Sequence, residues 1–332
     1  MAEGVRVRRT RTSLRGTAGA LLAAAALLTT AFTATAAPAD GPPATVHDAR
    51  HSAEGFWTAE RMRNAQPLDL LDVAPGDVSG EAVTRGEKRT VAPTPAPDGG
   101  PIGTRAFPEG GGPWTGGGDV VTTAGRVFFT YGGRTASCSG NAVTSDNKST
   151  VMTAGHCVKL EGAWHTDWVF VPAYHDGQSP YGRWSASELL ATPQWVASED
   201  INYDIGAAVV EPLGGQLLTD VVGGQGLAFN TGYDLDMYAF GFPAADPYDG
   251  ETFVHCSGTT IRDFLLSSDH GMNCDMTGGS SGGPWFTQFD EATGTGLQSS
   301  VNSFKYTFLP NYMFGPYFGA DAENLYETAQ AS

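Results

Sequence analysis

The stretch CDMTGGSSGGPWF, residues 274–286, sets two adjacent serines, Ser280 and Ser281, between Gly278, Gly279, Gly282 and Gly283. Such a run is either a flexible linker or a backbone shaped around one hydroxyl, and linkers are not normally closed by an apolar strand-like run such as PWFTQF, 284–289. A hydroxyl becomes an acylating nucleophile only with a base to take its proton, a carboxylate to orient that base, and donors for the oxyanion. Gly278, Ser280 and Gly282 satisfy the strained G-x-S-x-G elbow, which requires an acid and then a histidine later in the chain. The histidines stand at 47, 51, 156, 165, 175, 255 and 270, all before it, so that elbow is excluded. The order His, Asp, Ser is met by His156 in TAGHCV, Asp204 in NYDIGAAVV and Ser281. Asp200 competes for the acid, and Ser280 for the hydroxyl if the register slips by one.

Around this stretch the chain from about Val120 onward consists of short apolar runs divided by glycine, proline, asparagine and aspartate. GRVFFTY (125–131), STVMTAG (149–155), DWVFVPA (167–173), IGAAVV (205–210), MYAFGF (237–242) and TFVHCSG (252–258) are examples. The texture predicts an all-β domain. Only Asp321–Ala331 reads as a helix, with Asp321 as N-cap and Leu325, Tyr326 and Ala329 on one face.

The first hundred residues read differently. Arg6, Arg8, Arg9, Arg11 and Arg15 against one Glu3, then the apolar run Ala18–Phe32 and Ala34-Thr35-Ala36, describe a secretory signal peptide over 1–36. Residues 37–105 read as a propeptide. Ser52–Leu71 could form one amphipathic helix with Phe56, Trp57, Ala59 and Met62 as contacts and Pro67 as its stop. APTPAPDGGP (92–101) and GGGPWTGGG (110–118) predict an extended connector, assigned to 106–119, with Arg105 and the Lys88–Arg89 pair as candidate processing points.

The whole chain carries a formal charge of −17, and removing the basic leader leaves the remainder more acidic still. That balance argues against nucleic acid, and against membrane once the leader is gone, as partners. Cys138, Cys157, Cys256 and Cys274 are expected as two disulfides after export, with three pairings open; sequential pairing would close two loops worth about 3 kcal/mol each. The spacings of structural zinc sites are missing, and no phosphate, dinucleotide, haem or calcium motif is present, so neither metal nor cofactor is implied.

TAGHC (153–157), Asp204-Ile205 and GSSGGP (279–284), in that order, resemble the chymotrypsin/trypsin-like serine endopeptidase family over roughly residues 120–330. The resemblance implies two six-stranded antiparallel β-barrels, about 120–215 and 216–318, with the active site between them and then the short C-terminal helix, making 120–332 the protease domain. It implies Ser281 as nucleophile, His156 as general base and then acid, and Asp204 as the group fixing the imidazole tautomer. Gly279 and Ser281 N–H groups would form the oxyanion hole. Asp275, six residues before Ser281, falls where the family places an acidic pocket base. The chain departs from the pattern at Ser280, where zymogens usually carry an aspartate, at Thr277, where a cysteine is expected, and in having no I-V-G-G start. These departures lean toward the bacterial glutamyl-endopeptidase-like branch and predict activation by removal of a covering propeptide. The expectation is a secreted, monomeric serine endopeptidase acting on protein or peptide through an acyl-enzyme. The rival is a secreted β-barrel binding module with an inactive triad.

Overall fold

The computed structural model describes residues 43–49, 53, 55–73, 83–97 and 106–332. The expected leader, 1–36, and Arg105 lie outside the described residues.

The apolar runs become strands where the sequence puts them. Ala124–Tyr131, Arg134–Ala142, Thr150–Thr153, Gly206–Val210, Trp184–Ala191 and Thr166–Pro172 pair antiparallel in that order, and the last returns to the first, closing a six-stranded barrel. Each of the six strands is paired on both sides, but Arg134–Ala142 extends past Thr150–Thr153 and leaves edge backbone groups there. Side chains alternate across the strands, so Val127, Phe129, Trp168 and Phe170 fill the barrel's apolar cluster while Phe128, Val169 and Val171 belong to another. That second cluster is completed by Trp57 and Met62 from the N-terminal segment, both about 1% exposed. Burial on both faces is why RVFF and WVFVP read as continuous apolar runs rather than alternating ones.

The second half is two sheets, neither closed on itself, where a second six-stranded barrel was expected. In one, Gly226–Phe229, Thr295–Val301, Pro284–Asp290, Asp236–Gly241 and Val254–Thr259 are flanked by Arg89–Val91 and Glu109–Pro113. In the other, Ile261–Arg262, His270–Asn273, Tyr312–Gly315 and Phe304–Tyr306 end on Leu71–Val73. Strands from before residue 120 therefore stand at three sheet edges, and the stretch read as a connector supplies one of them. Trp114, beyond that strand, is buried against the Phe240, His255 and Phe289 rings.

The helix expected over Ser52–Leu71 shrinks to Ala59–Arg63, capped by Thr58 Oγ1 accepting from Arg61 N–H. Ala59 is exposed, and Pro67 lies in a strand, Gln66–Pro67, paired parallel with Ala136 and Ser137. Proline biases its predecessor to extended backbone, and the unpaired edge groups of the barrel take up the rest. The C-terminal helix runs Ala320–Gln330 with Gly319 at its N-cap. Asp321 sits inside the first turn and accepts instead from Gln194 Nε2 at 2.9 Å. Leu325, Tyr326 and Ala329 are buried in the barrel cluster as the spacing predicts. Cys138–Cys157 and Cys256–Cys274 are disulfides, the sequential pairing. Among the described residues no helix is long and apolar enough to cross a membrane.

Candidate active site

His156 lies in a single 3-10 turn, Gly155–Cys157, that follows the strand Thr150–Thr153. The Cys138–Cys157 disulfide ties that turn to the neighbouring strand Arg134–Ala142. Gly155 cannot carry a side chain, because a Cβ there would meet Trp195 at 2.8 Å and Asp204 Oδ1 at 2.9 Å. His165 fixes the turn from behind: its Nε2 bonds the His156 carbonyl at 2.9 Å and its ring stacks on Phe129. Burial pushes the His165 imidazole down to about 4, so it stays neutral and donates that bond at physiological pH.

Asp204 ends the next 3-10 turn, Ile201–Tyr203. Its Oδ1 accepts from His156 N–H at 2.7 Å, and its Oδ2 meets His156 Nδ1 at 2.7 Å and accepts from Ser303 Oγ at 2.6 Å. A carboxylate can only accept here, so Nδ1 carries the hydrogen and the neutral ring keeps its lone pair on Nε2. Asp200, the competing acid, is spent as the turn's N-cap on Asn202 N–H and Nδ2.

The two serines are equally distinct. Ser280 Oγ donates to Thr277 O at 2.7 Å. Ser281 Oγ is buried without a hydrogen-bond partner, as is His156 Nε2. The loop reaches the histidine turn through Gly282, whose Cβ would meet Thr153 Oγ1 at 2.1 Å and Ala154 N at 2.8 Å. Gly279 has φ +91°, a conformation that favours glycine. Asp275 is exposed, with Oδ1 accepting from Tyr248 OH at 2.6 Å. Lys305 is buried, donating to Cys274 O at 3.0 Å and Pro310 O at 2.6 Å, and burial lowers its ammonium to about 8.

His156, Asp204 and Ser281 are all fully buried, and residues 66–73 run beside them. Leu68 N–H donates to Ser137 O at 2.9 Å, Leu68 O accepts from Gly279 N–H at 2.8 Å, and Leu71 N–H donates to Ser303 O at 3.3 Å. Leu71–Val73 then pairs parallel with Phe304–Tyr306. This strap joins the closed barrel to the second half. Sequence reasoning missed Ser303, which lies in the run SSVNS, and missed the strap, most of which falls within the helix expected over Ser52–Leu71.

The thermostable serine protease AL20 from an extremophilic microorganism is 41% identical to this chain, with TM-score 0.61, over 64% of this chain and 99% of that one. The chain belongs to the serine proteases. Protease Anisep from Arthrobacter nicotinovorans is 46% identical, with TM-score 0.60, over 64% of this serine protease chain and 97% of that one. A Glu endopeptidase, 17% identical with TM-score 0.54 over 70% of this chain and 99% of its own, shares the fold. The extracellular metalloprotease of Bacillus subtilis (strain 168) is 37% identical over 79 residues, 24% of this chain; the serine protease chain spans 23% of that relative's length. No family model matches. Among the described residues the only group of three potential metal ligands is Cys138, His156 and Cys157, and its two sulfurs are bonded to each other rather than free as thiolates.

Proposed function

We propose that the chain is a secreted serine endopeptidase, made as a latent precursor, with Ser281 as nucleophile, His156 as base and Asp204 as the group that orients the imidazole. The observation that carries this reading is the pairing of His156 Nδ1 with an Asp204 carboxylate also held by Ser303, while Nε2 and Ser281 Oγ are left without partners. Ser281 Oγ attacks the scissile carbonyl as its proton passes to Nε2, and the oxyanion settles on the Gly279 and Ser281 N–H groups. Collapse breaks the C–N bond while His156 returns the proton to the leaving amine. Water, deprotonated by the same imidazole, then releases the acyl group and restores the serine.

Residues 37–105 are the propeptide, and its strap blocks the site, since Leu68 O occupies the Gly279 N–H that an oxyanion needs. With a hydroxyl rather than a carboxylate at position 280, activation proceeds by uncovering the cleft and needs no buried ion pair with a new N-terminus. The substrate is protein or peptide, and the disulfides and the extracellular relative support secretion.

Fluorophosphonate treatment of the full-length chain, read by mass spectrometry, should give one adduct on Ser281, absent in His156→Ala. An adduct on Ser280, or none after propeptide removal, overturns the reading and leaves the inactive binding module.

A further inference from the structure

The N–H of Gly279 belongs to a peptide unit between two glycines, Gly278 and Gly279, and such a unit turns over at little cost in backbone strain. Its carbonyl is what fixes it. Gly278 O accepts from Ala244 N–H at 2.7 Å and from Ala245 N–H at 3.2 Å. The peptide is trans, so holding the carbonyl on that side turns the N–H to the other, toward the cleft, where it meets Leu68 O. The next carbonyl is held separately, with Gly279 O accepting from Ser139 Oγ at 2.9 Å. Whatever places Ala244 and Ala245 therefore sets the direction of the Gly279 N–H.

Both alanines stand in loop 243–251, between the strands Asp236–Gly241 and Val254–Thr259. Thr277 Oγ1 on Ala245 O and Tyr248 OH on Asp275 tie this loop to the very segment it positions, so they give it no outside reference. The closed barrel does. At the loop's start Phe242 N–H donates to Ser139 Oγ at 2.9 Å, and at its end stands Arg126, from the strand Ala124–Tyr131. Arg126 is about 1% exposed and lies over the Phe128 and Tyr174 rings, 4.8 and 5.0 Å from their centroids. Its Nη1 donates to Gly250 O at 3.2 Å and its Nη2 to Ser137 Oγ at 2.6 Å, while Glu251 Oε1, held by Tyr174 OH, is 3.8 Å away. Gly250 N–H closes the loop on Pro243 O at 2.8 Å, and a Cβ on Gly250 would meet Ala244 Cβ and Arg126 Nη1, each at 2.8 Å. Ala244 in turn packs on Gly279, where a Cβ would meet its N at 3.1 Å. A buried guanidinium is weak evidence for stability, but its planar fork fixes two acceptors at one geometry.

Resting on the endopeptidase reading above, we propose that Arg126 is a positioning residue for the oxyanion hole. Its fork spans Ser137 of the barrel and Gly250 of loop 243–251, and so holds Ala244 and Ala245 where they keep the Gly278–Gly279 peptide turned with its N–H toward the substrate carbonyl.

The test uses the full-length chain and follows the rate of fluorophosphonate labelling of Ser281 across pH, with thermal unfolding measured on each variant. Loss of one oxyanion donor costs about 10²- to 10³-fold, whereas freeing Leu68 O loosens the strap and returns at most about 13-fold. Arg126→Met should therefore lower the plateau rate about 10-fold or more, with the pH midpoint set by His156 unmoved from that of the parent. Arg126→Lys puts a single point donor in place of the fork and should fall between the two. Gly250→Ala displaces Ala244 directly and should lower the plateau as well, and in the double variant the two losses should not add. An unchanged plateau in Arg126→Met, a moved midpoint, additive losses, or a fall that only follows the unfolded fraction overturns the assignment. Where Arg126→Met does not fold, Arg126→Lys and Gly250→Ala decide, and parent-like plateaus in both overturn it. Absence of any Ser281 adduct in the parent refutes the endopeptidase reading instead, and the positioning role falls with it.

Discussion

Gly278→Ala isolates the strap from the rest of the molecule. The three atoms nearest a Cβ at this position all belong to the strap: Asp69 Oδ1 at 3.0 Å, Asp69 Cα at 3.2 Å and Leu68 O at 3.2 Å. The backbone atoms cannot rotate away as a side-chain tip can, so the strap must move outward. That movement stretches the 2.8 Å bond from Gly279 N–H to Leu68 O. Losing one such bond costs about 0.5–1.5 kcal/mol, or about 2- to 13-fold in the ratio of closed to open strap. Because Gly278 is not in the left-handed region, alanine brings no backbone strain of its own. The full-length Gly278→Ala chain should therefore label on Ser281 about 2- to 13-fold faster than the parent under pseudo-first-order fluorophosphonate. An unchanged or slower rate, with thermal stability unaltered, would mean that the strap does not limit access to the serine.

Ser303→Ala removes one of the donors holding Asp204 Oδ2. Hydrogen bonds to charged groups are worth about 1.5–3 kcal/mol, so Ser281 labelling should fall by about 10-fold or more, and Ser303→Thr should restore part of it; equal rates in all three chains refute the role. His270 tests a different link, since it is fully buried, with both ring nitrogens unpartnered, among the Tyr233 and Tyr317 rings. Burial pushes it from 6.5 down to about 3. Above pH 6.5 the ring is neutral folded and unfolded, but as pH falls from there toward 3 only the unfolded chain gains the proton, and stability is lost across that window. His270→Phe should therefore gain about 2 kcal/mol at pH 5 relative to its effect at pH 8, measured by denaturant unfolding; a pH-independent difference would refute the assignment.

How much of this was legible in sequence depends on whether a residue's role is set by its covalent neighbours. His156 is fixed by the cysteine beside it, Asp204 by the strand that starts after it, and Ser281 by the glycines that let the loop close on Thr153 and Ala154. Each of these carries its own local signature. Ser303 has none, because it becomes a partner of Asp204 only when a strand 99 residues away is laid beside it. Residues 66–71 were placed in the helix expected over Ser52–Leu71 for the related reason that a helical spacing of apolar residues is a weak signal, and unpaired backbone groups on two sheets prevail over it. The open second half was equally hidden, since strand pairing across Gly226–Phe229 and Thr295–Val301 is parallel and leaves no hairpin turn to read.

The N-terminal segment meets the rest of the chain at two places joined by a short tether. Trp57 and Met62 bury large apolar side chains over Phe128, and Trp57 is also held through Nε1 to Asp167 O and through its carbonyl by Arg183. Each such side chain is worth about 1.5–3 kcal/mol. The strap itself depends on backbone hydrogen bonds worth about 1 kcal/mol each, on buried Leu70 and Val73, and on the partly buried Leu68 and Leu71. The apolar contact of Met62 sits only four residues upstream of Gln66 and keeps the strap at high effective concentration beside the cleft. A cut in the stretch 98–105 severs none of these contacts, so by itself it does not open the site. A cut between Met62 and Gln66, where Arg63 and Asn64 are exposed, separates the Trp57 and Met62 anchor from the strap and leaves the strap's own contacts to hold the cleft without a tether on that side.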